Sequence, residues 1–233
     1  MTLEARKQAA AEKAVEQVKS GMVLGLGTGS TARFAVAKIG ALWQAGKLTN
    51  IVAVPTSEAT AKQARSYGIP LGTLDEQPHL DLAIDGADEV DPQFDLIKGL
   101  GGALLREKMV ETAARRFVVI VDDSKLVNKL GSRGPLPVEV VQFGWRAQVR
   151  WLESMGCSVA LRGDEGSPFV TDNGNYILDC TFAEGIDNPS GWASACINRV
   201  GVVEHGLFLG MAHEVIVAGT DGVRSLSAAS AAI

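Results

Sequence analysis

Met22-Val23-Leu24-Gly25-Leu26-Gly27-Thr28-Gly29-Ser30-Thr31 runs a short apolar stretch into closely spaced glycines and then two hydroxyl residues. This order reads as a strand, a tight turn and the start of a helix. The strand is predicted over 22–26 and the helix over 31–45, closed by Gly46. The same grammar repeats on either side. A helix is expected over 3–20, with Thr2 as N-cap and Gly21 as its stop. A strand over 51–54 leads to a helix over 58–67 that stops at Gly68, then to a strand over 82–84. A helix over 102–115 and a fully apolar strand over 117–121 follow. Strands alternating with helices imply an α/β domain, a parallel sheet covered on both faces.

The pattern changes after Leu130, where Gly131-Ser132-Arg133-Gly134-Pro135-Leu136-Pro137 reads as a linker. Beyond it come a strand over 138–143, a helix over 145–155 and strands over 158–161 and 176–180. A helix over 189–198 and a strand over 200–204 complete a β-α-β-β-α-β order, the ferredoxin-like α+β unit. A last apolar strand over 215–218 is expected to return to the first sheet. The expected division is therefore a discontinuous α/β domain, 1–130 and 207–233, and a smaller ferredoxin-like domain, 131–206. The tail 225–233 is expected to fray.

The 233 residues are 46% hydrophobic, enough to bury a core. A net charge of -5 without a basic block speaks against nucleic acid or an anionic membrane as the main partner. No apolar run is long enough to span a bilayer, and the alanine-rich start is not a signal peptide. The cysteines, Cys157, Cys180 and Cys196, are odd in number and form no C-x-x-C, which suits a reducing, cytoplasmic setting.

The glycine turn does not fit the dinucleotide fingerprint, because Ser30 stands where the third glycine belongs. No Gly-Lys-Ser/Thr follows, so it is not a P-loop. It is either a plain turn or a phosphate cradle, and hydroxyls at a helix start favour the cradle. The run 82–84 leads into Asp85-Gly86-Ala87-Asp88, then Lys98-Gly99-Leu100-Gly101-Gly102, then Arg106-Glu107-Lys108. Ligands of open parallel sheets sit beyond the carboxyl ends of the strands, where Asp85 and Asp88 would stand. Asp91 and Asp95 read as a solvated acidic turn, and Lys98 and Glu107 could equally be surface charges. The acids lack calcium-loop spacing; a magnesium site at Asp85 and Asp88 is the alternative. His79, His205 and His213 have no ligand spacing. A phosphate cradle beside an acid–base cluster points to an enzyme of small phosphorylated molecules.

These segments, with Asp123-Ser124-Lys125, Pro135-Leu136-Pro137-Val138-Glu139-Val140, Thr171-Asp172-Asn173-Gly174-Asn175 and Gly219-Thr220-Asp221-Gly222-Val223, resemble the A-type ribose-5-phosphate isomerases almost end to end. The resemblance implies interconversion of ribose 5-phosphate and ribulose 5-phosphate, with no metal and no cofactor, in a dimer or tetramer, a homodimer being expected here, whose chains pair a Rossmann-like catalytic domain with the smaller ferredoxin-like one. It implies that Thr28, Gly29, Ser30 and Thr31 bind phosphate, and that Asp85, Gly86, Ala87 and Asp88 bind hydroxyls and assist ring opening. Lys98, Gly99, Leu100 and Gly101 form a second substrate loop, Glu107 is the base and Lys125 a further contact. One departure stands out: the family's Lys-Gly-Gly-Gly is Lys98-Gly99-Leu100-Gly101 here. If the middle glycine serves a positive φ, Leu100 is strained. Two rivals use comparable folds. A sugar-phosphate sensor would carry a DNA-binding helix-turn-helix, and an acyl transferase with a glutamate nucleophile would need a coenzyme A site.

Overall fold

The computed structural model describes residues 1–227. The chain divides into two compact units. The first contains Met1–Ala87, Arg106–Leu126 and the segment from Met211; the second contains Asp88–Leu105 and Val127–Gly210. In chain order the elements are α1 (Leu3–Val15), β1 (Val23–Leu26), α2 (Ala32–Gln44), β2 (Val52–Pro55), α3 (Glu58–Ser66) and β3 (Leu82–Asp85). Next come β4 (Glu89–Val90), β5 (Leu96–Ile97), α4 (Leu104–Thr112), β6 (Phe117–Asp122) and a single 3-10 turn, Asp123–Lys125. Then follow β7 (Leu136–Val140), α5 (Trp145–Ser154), β8 (Ser158–Leu161), β9 (Gly163–Asp164), β10 (Ser167–Pro168) and β11 (Tyr176–Thr181). The chain closes with α6 (Pro189–Ile197), β12 (Val202–His205), β13 (Leu207–Phe208), β14 (Glu214–Gly219) and β15 (Gly222–Ser227).

The first unit is built on one sheet in the order β15-β14-β6-β3-β1-β2. Its pairs are parallel except the β14–β15 hairpin. Strands β6 and β14 are buried at every position, as expected where helices cover both faces. On one face, Ala10, Ala11 and Ala14 of α1 and Val36 and Ile39 of α2 pack with Leu24, Leu26, Ile84 and Ile120. Small side chains let α1 lie close against the strands. On the other face Gly25 does the same for α4. A Cβ there would stand 2.7 Å from Val110 Cγ1 and 2.9 Å from Ala83 Cβ.

The second unit holds a four-stranded antiparallel sheet, β12-β7-β11-β8, with the β-α-β-β-α-β connectivity expected for it. Its core gathers Leu136, Val138, Val140, Leu152, Leu178, Cys180 and Trp192. A small sheet, β13-β5-β4, and the β9–β10 hairpin complete the unit.

Several sequence expectations change. The helix expected over 3–20 ends at Val15, well before Gly21. The helix after the glycine loop starts at Leu104 rather than 102, because Gly102 has φ 82°, outside helical space. Leu136 and Pro137, expected in a linker, are the first residues of β7. The tail does not fray from 225: Ser225 to Ser227 pair with β14, and 228–233 lie outside the described residues.

Gly25→Ala is expected to destabilise the fold by about 1–3 kcal/mol, the usual cost of overpacking a tight contact. Thermal unfolding should fall by several degrees, at roughly 2–4 °C per kcal/mol for a chain of this size. Adding Val110→Ala should recover part of the loss. An unchanged melting temperature in Gly25→Ala would contradict this packing.

Candidate active site

In the first unit, β3 ends on Asp85, whose side chain is fully buried. Its Oδ1 accepts the N–H of Thr28 at 3.0 Å and of Gly86 at 2.6 Å. One carboxylate oxygen therefore ties the glycine loop after β1 to the turn after β3. Gly27 makes this possible, since a Cβ there would lie 2.1 Å from Asp85 Cγ. Only a residue with no side chain allows that approach.

The Thr28 hydroxyl turns inward. It lies 2.6 Å from Thr56 Oγ1, 2.8 Å from Ser57 Oγ and 3.0 Å from Thr60 Oγ1. Thr56 and Thr60 donate onward to the carbonyls of Leu26 and Gly27. These hydroxyls lock the loop to the β2–α3 connection. They were not singled out in the sequence; the only signal was Pro55-Thr56-Ser57 at the carboxyl end of a strand. With Thr28 engaged, Ser30 and Thr31 remain as the hydroxyls at the start of α2. Ser30 is exposed, and the Thr31 side chain makes no capping bond. The first N–H groups of a helix lack intrahelical acceptors, so this end favours an anion. Arg33 Nε donates to the Ser30 carbonyl at 3.1 Å, and its guanidinium is ion-paired with Glu4.

Glu107 sits in the first turn of α4 and is 5% exposed. It lies one turn before Val110, which rests on Gly25. The helix leads into β6, parallel to β3, so it runs back along the sheet and its start lies toward the strands' carboxyl ends. Glu107 is thereby on the same edge of the first unit as Asp85 and the glycine loop. Lys125, partly exposed, ends the 3-10 turn after β6. That turn is anchored by Asp122 Oδ1, which accepts the Ser124 N–H, and by an Arg6–Asp123 ion pair at 2.8 Å.

In the second unit, Asp88 Oδ2 accepts the Leu100 N–H at 2.9 Å. Lys98 is 2% exposed; its N–H bonds the Gly206 carbonyl at 2.9 Å, and its Nζ lies 5.5 Å from the centre of the Phe208 ring. Positive φ falls on Gly99, at 101°, and Gly102, not on Leu100. Leu100 thus sits in ordinary backbone with its side chain turned outward, and the strain expected of it is absent. Asp91 is a turn-former rather than a solvated charge. Its Oδ1 accepts the N–H groups of Gln93 and Asp95, while burial pushes its carboxyl above the ordinary range. Among the described residues no three His, Cys, Asp or Glu side chains gather as a metal set.

Comparison with known proteins matches residues 52–222 to the model of the family Ribose 5-phosphate isomerase A (phosphoriboisomerase A). A ribose-5-phosphate isomerase A of Synechococcus sp. (strain JA-3-3Ab) is 56% identical over 94% of this chain and 96% of its own length. A probable chloroplastic ribose-5-phosphate isomerase 3 of Arabidopsis thaliana is 56% identical over 95% of this chain and 82% of its own. A solved D-ribose-5-phosphate isomerase in complex with phospho-erythronic acid superposes with a TM-score of 0.93 at 38% identity, covering 97% of this chain and 100% of that one.

The bond between Asp85 and the loop can be read directly. In Gly27→Ala the added methyl must displace the carboxylate from both amides. Amide exchange at Thr28 and Gly86 should quicken about tenfold or more, the effect of losing one hydrogen bond of ~1.4 kcal/mol. Their amide proton resonances should move upfield. Unchanged exchange and unchanged shifts would contradict the geometry.

Proposed function

The chain belongs to the ribose 5-phosphate isomerase A family, and from that premise we propose how it interconverts D-ribose 5-phosphate and D-ribulose 5-phosphate: by proton transfer through an enediolate, without a metal. The observation that carries the reading is identity of more than half the residues across nearly the whole chain. The complex of the solved relative with phospho-erythronic acid supports a phosphorylated sugar acid or sugar as the ligand class.

The roles follow from the chemistry each residue can do. Moving the hydrogen from C2 to C1 needs one base that takes a proton and returns it to the neighbouring carbon. Glu107 is assigned that role, since its carboxylate is 5% exposed and a shielded carboxylate can hold an abstracted proton for return to the neighbouring carbon. Negative charge then grows on the substrate oxygen. Lys98, a buried ammonium, is assigned its stabilisation, because preorganised charge acts strongly where water is excluded. Asp85 and Asp88 are assigned the hydroxyls, relaying a proton between O1 and O2 or assisting ring opening. The loop Thr28 to Thr31 is assigned the phosphate, with Ser30 and Thr31 as its hydroxyl donors. Gly86 and Ala87, the backbone of Gly99 to Gly101, and Lys125 complete the substrate contacts. Binding energy from the phosphate holds the reacting carbons in place.

We place the protein in the cytoplasm as a homodimer. Three buried free thiols suit a reducing compartment. Phe143 and Val200, both more than 90% exposed in the second unit, offer apolar surface for a second copy.

Glu107→Gln removes the base and keeps the side chain's shape. The expected result is a fall in kcat of at least ~100-fold, the usual scale of acid–base work, with KM little changed. Steady-state conversion of ribose 5-phosphate measures both. Turnover near that of the wild type would remove Glu107 from the mechanism.

A further inference from the structure

The loop that carries Lys98 is held by a residue to which the reaction chemistry above gives no part. Arg162 follows β8 in the second unit, and its side chain is 15% exposed. Its Nη1 donates to the Gly99 carbonyl at 2.9 Å and to the Leu100 carbonyl at 3.1 Å. The remaining donors grip one carboxylate: Nε reaches Asp179 Oδ2 at 2.9 Å, and Nη2 reaches Asp179 Oδ1. Asp179 sits within β11, so the guanidinium fork is fixed to a sheet strand. With Asp88 accepting the Leu100 N–H, the peptides around Gly99 and Leu100 are pinned at three polar points.

A second contact supports the same loop. Gly102 lies so close to Phe169 that a Cβ would stand 2.4 Å from Cζ, and the Arg162 guanidinium carbon is 5.9 Å from that ring's centre. The turn just after Phe169 is anchored by buried Glu139. Its Oε1 accepts from Thr171 Oγ1 and from Asn175 Nδ2, each at 2.9 Å. This joins two sequence motifs, 135–140 and 171–175, to which the reaction chemistry gives no role.

We propose that Arg162 is a positioning residue of the isomerase: it clamps the Gly99 and Leu100 carbonyls so that Lys98 and the loop amides meet the substrate in reactive geometry. This rests on the assignment of the Lys98 loop to the substrate made above. Arginine suits the task because its planar fork can hold a carboxylate with one edge and donate to carbonyls with another, whereas lysine offers one point charge. A loop released by a fraction of an ångström would still bind sugar phosphate but would align it poorly. The loss should therefore fall on kcat more than on KM.

The test is steady-state kinetics of Arg162→Ala, Arg162→Lys and Lys98→Ala, each per folded protein as judged by circular dichroism. Arg162→Ala should lose about 10- to 100-fold in kcat with KM changed less than about threefold, and Arg162→Lys should lose less. Guanidinium ion at tens of millimolar should restore part of the activity of Arg162→Ala and none of that of Lys98→Ala. A merely structural role would lower the melting temperature and leave kcat per folded molecule intact. If kcat of both Arg162 variants stays within about twofold of wild type while Lys98→Ala is impaired, the positioning role is wrong and the loop assignment stands. If Lys98→Ala is itself fully active, the loop assignment fails first. Should Arg162→Ala not fold, Arg162→Lys decides: a loss of about threefold or more in kcat supports the clamp, and a value within about twofold of wild type overturns it.

Discussion

One carboxylate oxygen, Asp85 Oδ1, organises the glycine-loop edge of the first unit. It receives an N–H from the loop after β1 and another from the turn after β3. Two neighbouring strand ends thereby become one surface, and the rest of the arrangement is a condition for that bond. Gly27 must lack a side chain for the carboxylate to enter. Gly25 must lack one for α4 to lie on β1 and bring Glu107 to the same edge. The Thr28 hydroxyl must turn away into the hydroxyls of Thr56, Ser57 and Thr60, which leaves the start of α2 open for an anion. The cost of burying a carboxylate is offset by short, charge-assisted bonds to amides that a rigid sheet holds in place.

Burial of charge separates this account from one based on stability alone. Asp85, Lys98 and Glu107 are each 5% exposed or less. Ionisable groups removed from water are costly and rarely serve stability better than apolar residues of the same size. Their burial fits the proposed reaction, in which a proton leaves carbon and charge appears on oxygen, because fixed charges act more strongly where water is excluded. The second unit repeats the strategy with backbone. Positive φ at Gly99 and Gly102 shapes the loop, and Asp88 and Arg162 fix its peptides.

Much of this was legible in the sequence because it is local. Thr2 caps α1 as its residue type suggests, and Gly46 and Gly68 follow helix ends with positive φ. The alternation of strands and helices is written in hydrophobic runs, and the resemblance rested on contiguous motifs. What was missed depends on chain folding back on itself. Thr56, Ser57 and Thr60 become a cluster only when β2 lies beside β1. Arg162 is a lone arginine at a strand end until β8 pairs with β11 and brings Asp179 beside it. β15 was hidden because Val223-Arg224-Ser225-Leu226-Ser227 sits at a sheet edge, where mixed polarity is ordinary. The fate of Leu100 required the backbone itself, since residue type alone does not say which position of a glycine loop carries the positive φ.

In the proposed reaction a proton, not a hydride, moves between C2 and C1, and Glu107 carries it. A proton held on a carboxylate can exchange with solvent before it is returned, whereas a hydride cannot. The measurement is conversion of unlabelled ribose 5-phosphate in deuterium oxide, with deuterium at C1 of the ribulose 5-phosphate read by NMR or mass spectrometry. Enzyme-dependent label is expected in the wild type, incomplete if the site limits exchange, and none above background with Glu107→Gln. Label that persists undiminished in Glu107→Gln would contradict this assignment, because another group would then be the base.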